Sequence, residues 1–214
     1  MTGARVVLAD DHSLMLQGVR KLLEKKVELV AAVGNGLALV KAVEENEVDV
    51  VLLDISMPVL NGIDAARRIR KISPDTKLIF LTMHADPDYV IEALRVGASG
   101  YLLKWSAETE LDAAIDTVLG GGIYLTPALP PEMTELLSAC DTELPKLRGV
   151  LSVREKEVLQ LVVQGKSAKE IGDVLHLSAK TVEFHKYRMM KKLGLHTTIE
   201  LAKYAMERHL IGPI

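Results

Sequence analysis

The chain has 214 residues, 49% of them hydrophobic, and a formal net charge of −3; that length suits two small domains, each able to bury a core. Its start lacks the charged, apolar and small-residue succession of a secretory leader, and no apolar stretch approaches the ~18 residues of a membrane helix, so a cytoplasmic protein without a membrane segment is expected. The single cysteine, Cys140, excludes an internal disulfide and fits a reducing compartment.

The first ~120 residues alternate β-branched runs with amphipathic stretches. Strands are expected at Arg5–Ala9, Glu28–Val33, Val48–Leu53, Lys77–Leu81 and Gly100–Leu103. The first, third and fourth are nearly continuous apolar runs, the pattern of parallel strands buried on both faces. Helices are expected between and after them at Ser13–Lys25, Leu37–Glu45, Ile63–Lys71, Pro87–Val96 and Ala107–Leu119. Five strands alternating with five helices predict a doubly wound, five-stranded parallel α/β sheet of the flavodoxin-like kind. Such sheets bind ligands beyond the carboxyl ends of their strands.

The glycines at 120–122 and the prolines at 127, 130 and 131 break this pattern. Residues 123–149 therefore read as a linker with a short helix at 132–139. After Leu151 the pattern is all-helical. Capping boxes start at Ser152, Ser167 and Thr197, each with a glutamate three residues on, and Ser178 reads as a simple cap. Gly165 and Gly194 fall where the first and third of these four helices should stop. The expected organisation is thus a domain over 1–122, a linker over 123–149 and a small four-helix domain over 150–214. Charge divides the same way. Residues 1–145 hold 13 basic and 22 acidic residues, a charge of −9, and residues 146–214 hold 13 and 7, a charge of +6. Only the second half is suited to a polyanion.

Chemistry-bearing residues gather at the strand ends. Asp10 and Asp11 end the first strand, Asp54 the third, Thr82 the fourth and Lys104 the fifth. In a doubly wound sheet these ends share one edge, so the five side chains can converge. Three carboxylates are hard oxygen ligands suited to Mg²⁺. A carboxylate can also attack a phosphoryl group to give an acyl phosphate, while an ammonium group offsets charge on the transferring oxygens. Taken singly, an Asp-Asp pair after a strand is more often a helix cap or solvated turn, a lone lysine at a strand end is usually a surface residue, and Thr82 could be only a strand-end residue. Pro58 and Gly62 read as loop shaping, Gly62 by permitting a backbone turn.

The segments VVLADDH, VDVVLLDISMPVLNG, LTMHAD and GASGYLLK resemble the receiver domain of bacterial two-component response regulators over residues 4–122. The resemblance implies that Asp54 accepts the phosphoryl group. It implies that Asp10, Asp11, Asp54 and the backbone carbonyl of Ser56 hold Mg²⁺, that Lys104 pairs with the phosphate, and that Thr82 and Tyr101 form a switch. Thr82 would move toward the phosphate and vacate space for the Tyr101 ring; on sequence alone Tyr101 is equally a half-buried strand aromatic. Ser56 and His84, each two residues beyond a pocket residue, are placed beside the site, where they can tune phosphate lifetime. His12 reads as structural. Trp105, unusual directly after the lysine in this family, is expected to pack locally rather than serve as a contact anchor.

In the second half, a helix over Ser178–Lys192 buries Val182, Met189 and Leu193 and presents Lys180, Phe184, Tyr187, Arg188 and Lys191 on the opposite side. Aromatics among cations suit phosphates and base edges in a major groove. The preceding helix, Ala168–Leu175, joins it through His176-Leu177 as a helix-turn-helix. The segment from Leu151 to Leu195 resembles the LuxR-type DNA-binding domain, and the two halves together resemble the NarL/FixJ class of response regulators. By that resemblance Glu183, Phe184 and Tyr187 face bases, and Lys180, Thr181, His185, Arg188 and Lys192 face the DNA backbone with Lys169 on the supporting helix. The last helix, Thr198–Arg208, would supply a dimer contact through Leu201, Tyr204 and Ala205, though these residues suit core packing equally.

The resemblance implies a transcription factor, not a metabolic enzyme. On that reading a sensor histidine kinase would phosphorylate Asp54, and the phosphate would promote homodimerisation, interdomain release or both, and so promoter binding. RNA polymerase is a further candidate partner. Two rivals stand beside this reading. One is a Mg²⁺-dependent phosphohydrolase with an aspartyl-phosphate intermediate, which lacks a second aspartate two residues after Asp54. The other is a DNA-binding protein whose receiver only dimerises.

Overall fold

A computed structural model describes residues 3–24, 26–129 and 151–207, except for the side chains of Val153 and Glu207. The anticipated linker helix at 132–139, Cys140 and Arg208 lie outside the described residues. The chain divides into two compact units, Met1–Leu144 and Pro145–Ile214.

In the first unit β1 (Ala4–Ala9), α1 (Ser13–Leu23), β2 (Val27–Val33), α2 (Gly36–Glu45), β3 (Val50–Leu53), α3 (Gly62–Ile72), β4 (Lys77–Thr82), α4 (Pro87–Arg95), β5 (Gly100–Leu103) and α5 (Ala107–Leu119) alternate as expected. A 3-10 turn at Lys104–Ser106 links β5 to α5. The sheet order is β2-β1-β3-β4-β5-β6, and each pairing is parallel. The sixth strand, β6 (Tyr124–Leu125), corrects the five-strand expectation and lies in the segment read as linker. It pairs with Gly100 and Tyr101, and Thr126 donates its N–H to the Tyr101 carbonyl at 2.9 Å.

β3 is buried at every position, and β1 and β4 at all but their opening residues, which explains why these three sequences read as nearly unbroken apolar runs rather than alternating ones. Val6, Leu8, Val50, Leu52, Ile79, Leu81 and Leu102 form one core with Val19 and Leu23 of α1 and Leu111, Ala114, Ile115 and Val118 of α5. The side chains between them along the strands, among them Val7, Val51, Leu53, Leu78 and Phe80, are equally buried. Asn35, Asn61 and Asp86 cap α2, α3 and α4 by accepting N–H groups of the first turn, and Pro87 opens α4 where its missing N–H costs nothing.

The second unit contains α6 (Val153–Val163), α7 (Ala168–Leu175), α8 (Ala179–Leu193) and α9 (Thr198–Glu207). Its core joins Leu151, Val158, Leu159, Ile171, Val182, Met189, Leu201 and Ala205. The capping boxes at Ser152 and Ser167 form as read; Thr197 and Glu200 exchange reciprocal hydrogen bonds, and Ser178 caps α8. Gly165 and Gly194 adopt positive φ at 79° and 68°, the left-handed ending that glycine favours.

Candidate phosphoacceptor pocket and nucleic-acid interface

The parallel sheet brings the ends of β1, β3, β4 and β5 to one edge, and four of the five anticipated side chains take up a buried position there. Asp10, Asp54 and Thr82 are buried, and the Lys104 side chain is nearly so. Lys104 Nζ lies 2.7 Å from Asp10 Oδ2 and 2.7 Å from Asp54 Oδ2. Burial opposes its charge, but the hydrogen bonds and charges of the two carboxylates outweigh that and hold the ammonium above lysine's ordinary pKa. Asp54 Oδ1 accepts the Ile55 N–H at 2.6 Å. Asp11 is more open, with 35% of its side chain exposed. Ligand atoms of Asp10, Asp11, His12 and Asp54 all lie within 4.8 Å of one another.

His12, read as structural, lies against this cluster. Its backbone N–H and ring Nδ1 approach Asp10 Oδ1 at 2.9 and 3.0 Å, and Nδ1 is 2.9 Å from Asp11 Oδ1. Adjacency to the two aspartates was the only signal in the sequence. The donor set is dominated by carboxylate oxygen, the chemistry hard divalent cations prefer.

Gly62 is needed for a different reason from the one anticipated. Its φ is not positive; instead a Cβ there would meet the Asp54 carbonyl oxygen at 2.0 Å. The positive φ in this loop belongs to Val59, at 68°, a conformation costly for a β-branched residue. Tyr101 is fully buried, and its hydroxyl donates to the His84 carbonyl at 2.7 Å. Burial pushes the phenol well above its ordinary pKa. Ser56 Oγ and His84 Nε2 are 2.8 Å apart. Trp105, expected to pack locally, is 57% exposed on the 3-10 turn after Lys104.

On α8, Val182 and Met189 are buried as the helical period requires. Phe184 and Tyr187 are 56% and 64% exposed, too much for either ring to be a core residue. The Arg188 guanidinium sits 5.7 Å from the centre of the Phe184 ring, within cation–π range. Lys169, Lys180, Glu183 and Lys191 are exposed, and Thr181 and His185 partly so. Lys192, expected at the DNA backbone, is exposed and also has a partner within its own unit. Its Nζ is 2.5 Å from Oε2 of the buried Glu155, and that same oxygen accepts the Ser152 N–H of the α6 cap at 2.8 Å. Lys192 therefore ties α8 to the start of α6. Arg154, unremarked in the sequence, donates to the last-turn Leu175 carbonyl of α7 at 2.6 Å.

The dimer assignment needs correction. Leu201 and Ala205 have no exposed surface and lie in the unit's own core. Tyr204 is partly buried. The exposed apolar side chains of α9 are Ile199, at 82%, and Met206, at 59%.

A doubly wound sheet with an acidic pocket at its carboxyl edge, followed by a helix-turn-helix unit, defines a receiver joined to a DNA-binding module. Residues 6–116 match the response regulator receiver domain, and residues 149–205 match the luxR family of bacterial regulatory proteins. The chain belongs to the response regulators with a LuxR-type DNA-binding domain, in the NarL/FixJ class. It is 36% identical to response regulator UvrY of Escherichia coli (strain K12) over 208 residues, covering 96% of this chain and 94% of that one. It is 34% identical to the oxygen regulatory protein NreC of Staphylococcus carnosus (strain TM300), covering 97% and 99%. Among solved structures it resembles the Salmonella typhimurium response regulator RcsB, with a TM-score of 0.69, 30% identity and coverage of 97% and 98%. It also resembles RcsB from Salmonella enterica serovar Typhimurium bound to promoter rprA with the phosphomimetic BeF3-, with a TM-score of 0.65, 30% identity and coverage of 95% and 99%.

Proposed function

We propose that a partner sensor histidine kinase phosphorylates Asp54, and that the phosphate controls dimerisation, interdomain release or both, and so promoter binding. The carrying observation is Lys104 held at 2.7 Å from both Asp10 and Asp54, beside Asp11. The P–N bond of a phosphohistidine breaks as an Asp54 oxygen bonds to phosphorus, leaving an acyl phosphate and a neutral imidazole. Lys104 stays within reach of the new phosphate oxygens, and Thr82 offers a hydroxyl to them. Asp10, Asp11, Asp54 and the Ser56 carbonyl are the groups to hold Mg²⁺, which supplies positive charge to the phosphoryl oxygens. The protein turns over no external metabolite and acts in the cytoplasm, where kinase and DNA meet it.

The receiver is assigned to 1–122, the linker to 123–149 and the DNA-binding domain to 150–214, with β6 carrying the receiver sheet into the linker. Phe184, Tyr187 and Glu183 face bases, and Lys180, Lys191, Arg188, Thr181, His185 and Lys169 face phosphates. Without a base-facing cation, readout rests on thymine methyls, on Glu183 toward cytosine, and on DNA shape. RNA polymerase is a candidate partner at the promoter.

The test compares the wild type with Asp54→Ala for binding to promoter DNA, with and without a phosphodonor. The wild type should tighten about tenfold, 1.4 kcal/mol, while Asp54→Ala stays at the unphosphorylated level. An Asp54→Ala protein that responds like the wild type sinks the switch. A binding-site selection with Glu183→Ala tests the cytosine contact, which fails if the preferred sequence is unchanged.

A further inference from the structure

Beside the pocket, His84 makes contacts that neither cation binding nor phosphoryl transfer requires. It sits two residues past Thr82, between β4 and α4. Its Nε2 lies 2.8 Å from the Oγ of Ser56, in the loop that follows Asp54. The same imidazole stacks on Tyr89, with ring centres 4.2 Å apart and planes 12° from parallel. Tyr89 is buried in the first turn of α4. The backbone carbonyl of His84 accepts the Tyr101 hydroxyl at 2.7 Å. One residue thus touches the phosphoacceptor loop, α4 and β5.

These contacts are directional. A 2.8 Å hydrogen bond fixes the imidazole edge relative to Ser56, and a near-parallel stack fixes its face relative to Tyr89. If the Ser56 loop shifts around a phosphorylated Asp54, the imidazole either follows or loses its bond. If it follows, it draws the stacked Tyr89 ring with it, and because Tyr89 itself is buried, α4 has to adjust around that ring.

We infer that His84 is a positioning residue that carries the phosphorylation state of Asp54 from the Ser56 loop to α4 through the Tyr89 ring. This route is separate from the Thr82–Tyr101 switch, yet both touch His84, the relay at its side chain and Tyr101 at its carbonyl. The inference rests on Asp54 being the phosphoacceptor.

The two joints can be cut one at a time. His84→Phe keeps a ring against Tyr89 and removes the bond to Ser56. His84→Gln keeps a hydrogen-bonding group toward Ser56 and removes the ring. Both leave the backbone carbonyl for Tyr101. The measurement is amide hydrogen exchange over Pro87–Arg95 in the full chain, with and without Mg²⁺ and saturating beryllofluoride. Fluorescence of Trp105, the only tryptophan and next to Lys104, reports uptake in each protein. In the wild type, beryllofluoride should change α4 exchange about tenfold, and both variants should cut that change at least threefold while still taking up the ligand. A wild-type response in either variant overturns the relay, because a serial link fails when either joint is cut. If the wild type takes up no beryllofluoride, the phosphoacceptor reading fails and the relay falls with it. Uptake with an unaltered α4 response in the variants removes the relay alone.

Discussion

Lys104 carries the balance of the pocket. Two buried carboxylates share one ammonium, so removing it leaves charge without a partner in a poorly solvated place. Lys104→Met should cost about 3 kcal/mol in urea unfolding at neutral pH without divalent cation, and Mg²⁺ should narrow the gap by supplying charge at the same carboxylates. The pH dependence has a definite sign. The folded-state pKa of Lys104 is raised, so its contribution is complete below lysine's ordinary value near 10.4 and is lost as pH rises through the higher folded value. The stability difference between wild type and Lys104→Met should therefore be flat through neutral pH and shrink only in strong alkali; a difference that disappears by pH 8 contradicts the pairing. The residues of this pocket were legible because apolar runs locate strand ends, and strand ends of a parallel sheet share an edge. Trp105 was not. Sequence marks it as unusual, but only the 3-10 turn after Lys104 decides that its ring points to solvent. Gly62 was legible as necessary, though the clash with the Asp54 carbonyl that makes it so depends on loop geometry no local pattern encodes.

At the scale of the element, the second unit shows what patterning conveys and what it omits. Capping residues and terminal glycines mark where its helices begin and end, since those signals are local. Periodicity gave α9 an apolar face but not the neighbour that covers it. Leu201 and Ala205 went to the core because α9 packs against α6 within the unit. A strand of two residues, β6, carries no period at all; its register comes from the neighbouring Gly100–Tyr101 pair. The α7 ending is also unusual: His176 takes a φ of 54° where glycine is the common choice. His176→Gly should relieve that strain against glycine's larger unfolded-state entropy, a net gain of about 0.5 kcal/mol, seen as a small rise in the thermal midpoint. A fall shows that the imidazole has a stabilising role there. Gly172→Ala should act oppositely, since its Cβ would meet the Leu177 carbonyl at 2.5 Å and force the turn between α7 and α8 open; a loss of about 1–3 kcal/mol is expected. Glu155→Ala removes the glutamate half of the α6 capping box and the partner of Lys192, leaving the Ser152 hydroxyl bond to the residue 155 N–H, and should cost about 2–3 kcal/mol. Glu155→Gln, which keeps an acceptor for the Ser152 N–H, should cost less.

At the scale of the whole molecule, the opposite charges are divided between the two halves of the sequence. The −9 of residues 1–145 cannot attract DNA, and the +6 of residues 146–214 can. Electrostatic affinity for DNA should therefore be set by the second unit, and the salt dependence of binding reports how many of its cations meet phosphate. Each phosphate neutralised adds about 0.9 to the slope of log affinity against log salt. Lys180 and Lys191 are exposed on the face that carries Phe184 and Tyr187, so Lys180→Ala and Lys191→Ala should each lower the slope by about 0.9 per protomer bound. Lys192 lies on the same helix with the same charge, but its ammonium is committed to the buried Glu155. Lys192→Ala should leave the slope within error of wild type and lower the thermal midpoint instead. Neutralising an exposed carboxylate of the first unit, as in Glu44→Gln, should change neither quantity. Fluorescence anisotropy with promoter DNA across a salt series measures all four variants alike. If Lys192→Ala lowers the slope as much as Lys180→Ala, then DNA draws Lys192 away from Glu155, and the bond between α8 and α6 breaks on binding rather than holding the recognition helix in place.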